Sequence, residues 1–365
     1  MKLKNDTPFL ASWVPGFLPD GREVVTVVIK GSFSLRRPDE LHHIQHPPLE
    51  SDEFGADPAC NAPVRENDFA IAKRVCDVLI YATAVSPGSR PRTSFEVIAT
   101  VGSMSKRFNV VGHREWSRSF SACKPSTPEP FVRHRISYDN AFGGIDIDPD
   151  QPDIKHTFLA NPAGLGYFTS SKRAYGKPLP RTEEVQHTVT QPDKNYVPQA
   201  FGPLARHWAP RVCYAGTYDR KWQEERLPFL PDDFDMRFYQ VAPQDQQIGS
   251  PVGGERIELI NLTEESILLS RVPARACVVS FITHTGNYDE HDATCDGITI
   301  EPDEDLLTMT WRASVSLRRD LFELREILVT EKSRHSAART RAKARGKEYF
   351  PGLGALVAKR SQGQG

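Results

Sequence analysis

SFEVIATVGSMSKRFNVVG, residues Ser94 to Gly112, decides the fold class. Phe95, Val97, Ala99 and Val101 alternate with Glu96, Ile98 and Thr100, the period-two pattern of a strand with one face more polar than the other. Gly102-Ser103 then turns the chain into Lys106–Val111, which predicts a hairpin. Just upstream, VLIYATAVS from Val78 to Ser86 has strand character and stops at the turn Pro87-Gly88-Ser89-Arg90-Pro91. No helix-length crossover separates these runs, so they are expected to pair antiparallel.

The same signal recurs on both sides. VVTVVIKGSFSL (Val24–Leu35), RIELINLTEESILLS (Arg256–Ser270, with Thr263-Glu264-Glu265 as a turn) and ACVVSFITH (Ala276–His284) all have strand character. LLTMTWRASVSL (Leu306–Leu317) places Leu307, Met309, Trp311, Ala313 and Val315 on one face. Between Lys124 and Pro203 the pattern weakens into X-Pro steps and glycines, expected to be long ordered loops with short strands and a short helix. From Asp320 onward Leu321, Leu324, Leu328 and Val329 fall at helical spacing, and Ala337, Ala338, Ala342 and Ala344 continue with helix formers until Gly346. The expectation is a mainly β fold of antiparallel, sandwich-like sheets with long ordered loops and one C-terminal helix. Residues 1–317 would form the β-rich domain and residues 318–365 a helical basic tail.

Composition narrows the function classes. The chain has 365 residues and a formal net charge of -1, so its overall field selects neither nucleic acid nor an anionic membrane. Its six cysteines contain no Cys-x-x-Cys pair, which argues against a zinc site and against a small disulfide scaffold. The apolar run in MKLKNDTPFLASWVPG is too short for a signal peptide, and no run reaches transmembrane length; a cytoplasmic, reduced protein is expected.

Catalytic signatures are weak. His113 with Glu115, or His134 with Asp139, could supply an acid/base pair, but nothing in the sequence ties either to a nucleophile. Neither a Gly-x-Ser-x-Gly elbow, a phosphate-binding loop nor a His-Glu-x-x-His motif is present. Gly164-Leu165-Gly166 lacks the third glycine of a dinucleotide site. The histidines at 42, 43 and 46 read as a polar loop, and the Asp-rich pieces Ile145–Asp153 and Leu230–Asp235 as Asx-turn loops that lack the calcium-loop pattern. No cofactor or metal is expected. The cations from Lys332 to Lys347 carry no interleaved aromatic, which favours contact with an acidic protein over nucleic acid.

The segment from Phe201 to Gln247 is different in kind. FGPLARHWAPRVCYAGTYDRKWQEERLPFLPDDFDMRFYQVAPQDQQ mixes rings and guanidinium groups and is broken throughout by proline and glycine. Trp, Tyr and Arg dominate binding energy at interfaces, and buried rings also build cores with polar partners. These side chains are therefore expected to divide, about half to core and half to surface. The candidate partner-binding set is Phe201, Arg206, Trp208, Arg211, Tyr214, Tyr218, Asp219, Trp222, Phe234, Arg237, Phe238, Gln246 and Gln247.

This segment, with GGERIELINLT (Gly253–Thr263), resembles the accessory, or adaptor, family of bacterial type VI secretion. VVIKGSFSL (Val27–Leu35), DVLIYATAVSP (Asp77–Pro87), FNVVGHREW (Phe108–Trp116), YDNAFGG (Tyr138–Gly144) and NPAGLGY (Asn161–Tyr167) extend the resemblance over nearly all of Thr7–Leu317. It implies a non-enzymatic chaperone that binds a PAAR-like protein or its toxic effector in the cytoplasm and mounts it on the secretion spike protein. The residues alone leave two other readings: a hydrolase of cell-envelope glycans using His113, Glu115 or Asp139, and nucleic-acid contact through the tail.

Overall fold

The computed structural model describes residues 1–119, 122–332, 342 and 345–346. The predicted strands form where the alternation lies: Glu23–Ser34, Cys76–Ile80, Ser94–Val101, Met104–Val111, Arg256–Ile260, Ile267–Arg271, Cys277–Thr283 and Leu306–Ser316. The Ser94–Val101 hairpin closes on Gly102 at φ +56°, a conformation open to glycine.

Their arrangement corrects the sandwich of antiparallel sheets. Seven strands of a nine-stranded mixed sheet follow the path Lys2–Asn5, Leu324–Glu331, Cys277–Thr283, Tyr288–Glu301, Leu306–Ser316, Glu23–Ser34, Leu10–Phe17, and Cys76–Ile80 with Gln247–Ile248 branches from Tyr288–Glu301. The first and last strands of that path are consecutive in the chain, so the sheet curls into a nearly closed barrel. Two pairings in this sheet are parallel: Lys2–Asn5 with Leu324–Glu331, and Cys76–Ile80 with the second half of Tyr288–Glu301. Both join segments far apart in sequence, which reading from hairpin to hairpin cannot register. A second, five-stranded antiparallel sheet is ordered Thr182–Glu183, Met104–Val111, Ser94–Val101, Arg256–Ile260, Ile267–Arg271.

The C-terminal helix is also corrected. Asp320 caps a single 3-10 turn, Leu321–Glu323, and Leu324–Glu331 is then a strand lying between Lys2–Asn5 and Cys277–Thr283. Ile327, Leu328, Val329 and Thr330 are all buried there, so burial on both faces overrides the helical spacing of the leucines. The alanine-rich, basic stretch expected beyond Lys332 lies almost wholly outside the described residues. The described helices are one or two turns long, and none is long and apolar enough to cross a membrane.

The two sheets share one apolar core. Leu307, Met309, Trp311 and Ala313 enter it together as the alternation predicts, with Val315 packed against its margin. Trp311 stacks on Phe9 with ring centroids 5.2 Å apart, and Phe33 meets Trp311 edge-on at 6.5 Å. Phe9 in turn covers Gly31, where an added Cβ would sit 2.6 Å from the ring. The region between Lys124 and Pro203 is held by a smaller cluster that includes Trp116, Phe142, Leu179 and Tyr196. Trp311→Ala is expected to lose about 3–5 kcal/mol in urea unfolding. Gly31→Ala should lose about 1–3 kcal/mol, because the buried Phe9 ring cannot yield.

Candidate functional site

Four of the thirteen candidate residues are structural. Phe201 and Trp208 are 0% and 1% exposed; Phe201 packs on Phe108 at 4.8 Å and Trp208 on Tyr138 at 5.6 Å. Arg211 is likewise buried and forks onto Glu66, while also donating to the carbonyl oxygens of Leu204 (2.6 Å) and Phe238 (2.8 Å). Gln246 donates to the carbonyls of Val78 (2.8 Å) and Phe201 (3.0 Å) and accepts from Lys106 Nζ at 2.9 Å. These groups pin the irregular segment to both sheets.

Asp77 on Cys76–Ile80 completes the attachment. It is 2% exposed and accepts from Lys73 Nζ (2.8 Å), Gln240 Nε2 (2.9 Å) and the backbone N–H groups of Val241 (3.0 Å) and Ala242 (3.2 Å). Gln240 then accepts from Arg74 N and donates to Val75 O. A loop with few ladder bonds of its own thereby has its backbone polar groups satisfied.

The remaining candidates separate into two places. Tyr218 and Trp222 meet edge-on at 4.7 Å beside the short helix Arg220–Glu225, whose first turn Asp219 caps by accepting from Trp222 N at 2.9 Å. Tyr214, Arg237 and Gln247 instead line an open groove of about 580 Å³, together with one edge of Arg211. Arg237 lies over the Tyr214 ring at 4.2 Å and donates to Asp235 Oδ2 at 2.6 Å. That hydrogen bond holds the Asp235 carboxyl down to about 2, so the clasp is charged at neutral pH. Phe234 and Phe238 pack on each other at 5.8 Å, and Arg206 pairs with Asp52 and Glu66 at 3.1 Å, all three half-buried around this support.

The groove also contains residues that sequence reasoning missed: Val197, Pro198, Pro210, Cys213, Pro243 and Gln244. Val197 is 59% exposed and Cys213 is exposed, against a base of buried Tyr138, Tyr196, Leu204 and Ala242. The signal was present as repeated X-Pro steps flanking aromatic residues, a pattern that fixes backbone without regular structure. The arrangement offers rigid apolar ledges, a ring–guanidinium stack and amide groups, the components of a polypeptide-binding surface.

The acid/base candidates stay apart from this groove. His113 and Glu115 form a surface pair at 3.5 Å. Asp139 accepts from Ala62 N at 2.8 Å and from Ser137 Oγ at 2.5 Å. Burial, reinforced by the nearby Arg181, pushes His134 down to about 4, which keeps it neutral at physiological pH. None of the four lines the groove.

A family model described as an uncharacterized protein conserved in bacteria, DUF2169, matches residues 20–312. The match contains the whole groove and its anchors, and stops short of the strands Lys2–Asn5, Leu10–Phe17 and Leu324–Glu331 that complete the barrel. No curated protein and no solved structure matches the chain.

Removing one partner from a buried ion pair strands the other, so Asp77→Ala and Arg211→Ala should each lower stability by about 3–5 kcal/mol in urea unfolding. By contrast, Arg237→Ala should leave the unfolding midpoint close to that of the parent. The Asp235 carboxyl should titrate near 2 by NMR, and move back toward 3.8 in Arg237→Ala. Its folded value is depressed, so the clasp is complete above about pH 4 and is lost as pH falls through about 2.

Proposed function

The chain belongs to the DUF2169 family of bacterial proteins, and from that footing we propose that it is a non-enzymatic adaptor which grips another polypeptide in the groove beside Tyr214 and Arg237. The observation that carries this reading is the division of labour inside one segment. Phe201, Trp208, Arg211 and Gln246 are locked into the frame, while Tyr214, Arg237, Val197 and Cys213 are presented at an ordered concavity. A rigid surface of that kind loses little conformational entropy on binding.

The client and setting come from the sequence resemblance. On that basis the client is a PAAR-like protein or its toxic effector, held in the cytoplasm and delivered to the type VI secretion spike. Such a carrier must also release, which suits a groove of mixed apolar and polar character better than an extended hydrophobic face. An adaptor at roughly a hundred times its Kd would stabilise the client by about 2.7 kcal/mol through mass action alone.

Co-expression pull-down with a PAAR-like protein from the same genome tests the reading. Tyr214→Ala combined with Arg237→Ala should weaken capture at least about tenfold with the fold intact. Trp222→Ala, on the separate Tyr218 face, should have a smaller effect. Undiminished capture by the double variant would place the interface elsewhere.

A further inference from the structure

A second concavity lies on the opposite side of Asp77 and has a different chemistry. Along Glu23–Ser34 and Leu306–Ser316, most residues that alternate with the core set are polar, and among them Thr26, Ser32, Thr308, Thr310 and Arg312 are buried beside the apolar Val24, Val28 and Leu306. A sheet buried on both faces ordinarily reads as continuously apolar. Here the polar face is roofed by the chain from Gln45 to Lys73. Ile71 O accepts from Thr26 and Ser314, Ala70 O accepts from Arg312 Nη1 at 2.8 Å, and Gln45 Oε1 accepts from Ser32 N at 3.0 Å.

Between roof and sheet is a cavity of about 260 Å³. Its wall carries the ion pairs Lys30–Asp68 (2.7 Å), Arg65–Glu301 (2.6 Å), Lys73–Asp77 (2.8 Å) and Arg312–Asp296 (2.6 Å). Arg65 reaches solvent, but the other three pairs are largely buried, and burying charges in this way stabilises a fold weakly, if at all, compared with an apolar filling. We propose that this cavity is a binding site for a small, uncharged, hydroxyl-rich molecule of monosaccharide size.

The charge balance argues for a neutral ligand. Every one of those four cations already faces a carboxylate, Glu66 is held by Arg211 and Arg206, and Glu53 is exposed. Burial and the neighbouring Arg65 lower the pKa of His46, which therefore adds no charge at neutral pH. Away from the exposed Glu53, an ion entering this wall would be desolvated without a free counter-charge. Hydroxyl groups suit it because each both donates and accepts. Asp296, which lines the cavity and is 2% exposed, keeps Oδ1 without a hydrogen-bond partner. Its partner Arg312 donates through Nε and Nη1, and Nη2 has no acceptor among the described residues. The volume, about 260 Å³, corresponds to roughly nine liquid waters, which accommodates a single sugar ring.

Isothermal titration calorimetry of the full chain tests this with glucose, ribose and myo-inositol as neutral probes and lysine and glutamate as charged ones. At least one neutral probe should bind saturably at one site per chain, and neither charged probe should bind. Thr310→Val keeps the shape of the strand and removes one wall hydroxyl, so it should weaken that binding roughly fivefold or more. Thr308→Val serves as a second variant of the same kind, and Leu269→Ala, exposed on the other sheet, should leave the affinity unchanged. Failure of all three neutral probes would overturn the proposal. So would preferential binding of a charged probe, affinity indifferent to both threonine variants, or a crystal structure of the soaked protein with only water in the cavity. None of these outcomes depends on capture of a polypeptide in the groove.

Discussion

The buried carboxylate of Asp77 is the constraint on which the rest of the molecule depends. It sits on a strand that pairs in parallel with Tyr288–Glu301 and antiparallel with Gln247–Ile248, at the junction where the barrel meets the irregular segment. On one side it holds Lys73 and the backbone of Val241 at the ionic cavity, and on the other it accepts from Gln240 and Ala242, which border the groove. A carboxylate so buried is tolerable only when its acceptor sites are filled, and here they are filled by the two surfaces it joins. Both concavities thus inherit their shape from a single polar joint embedded in a rigid sheet.

Arg211 repeats the logic from the opposite direction. Its guanidinium is almost inaccessible and ties Glu66, from the roof of the cavity, to carbonyls at Leu204 and Phe238 within the groove segment. Fixed fork geometry makes it a gauge of the spacing between those elements, a role that lysine could not fill. Dense arginine in such a segment therefore reports two unrelated jobs. Arg211 builds the frame, whereas Arg237 stays exposed over Tyr214 where a partner can reach it.

Most of the strand content was legible because alternation is a local property: Ser94–Val101 with Met104–Val111, and Leu306–Ser316, form where the pattern lies. Tyr288–Glu301 was not legible, although it is the longest strand among the described residues. Its first half is rich in Asp, Glu and His and largely solvent-facing, and a register shift at Cys295/Gly297 breaks its alternation. Leu324–Glu331 misled for another reason, since leucines at helical spacing carry no record of the strands on either side of them. The candidate site was half legible. Residue type located the segment, but only the tertiary positions of Glu66 and Asp77, more than a hundred residues upstream, decide which rings and guanidinium groups face outward. The ionic cavity was invisible in sequence, because a buried threonine or lysine in a strand looks the same as a solvated one.

Hydrogen–deuterium exchange of the protein alone and mixed with a PAAR-like protein tests whether the ordered groove on this frame holds a polypeptide client. Amide exchange is expected to slow upon binding in residues 197–214 and 237–247, with the barrel strands unchanged. Protection confined to other surfaces, or an exchange pattern identical in the free and mixed samples, would contradict it.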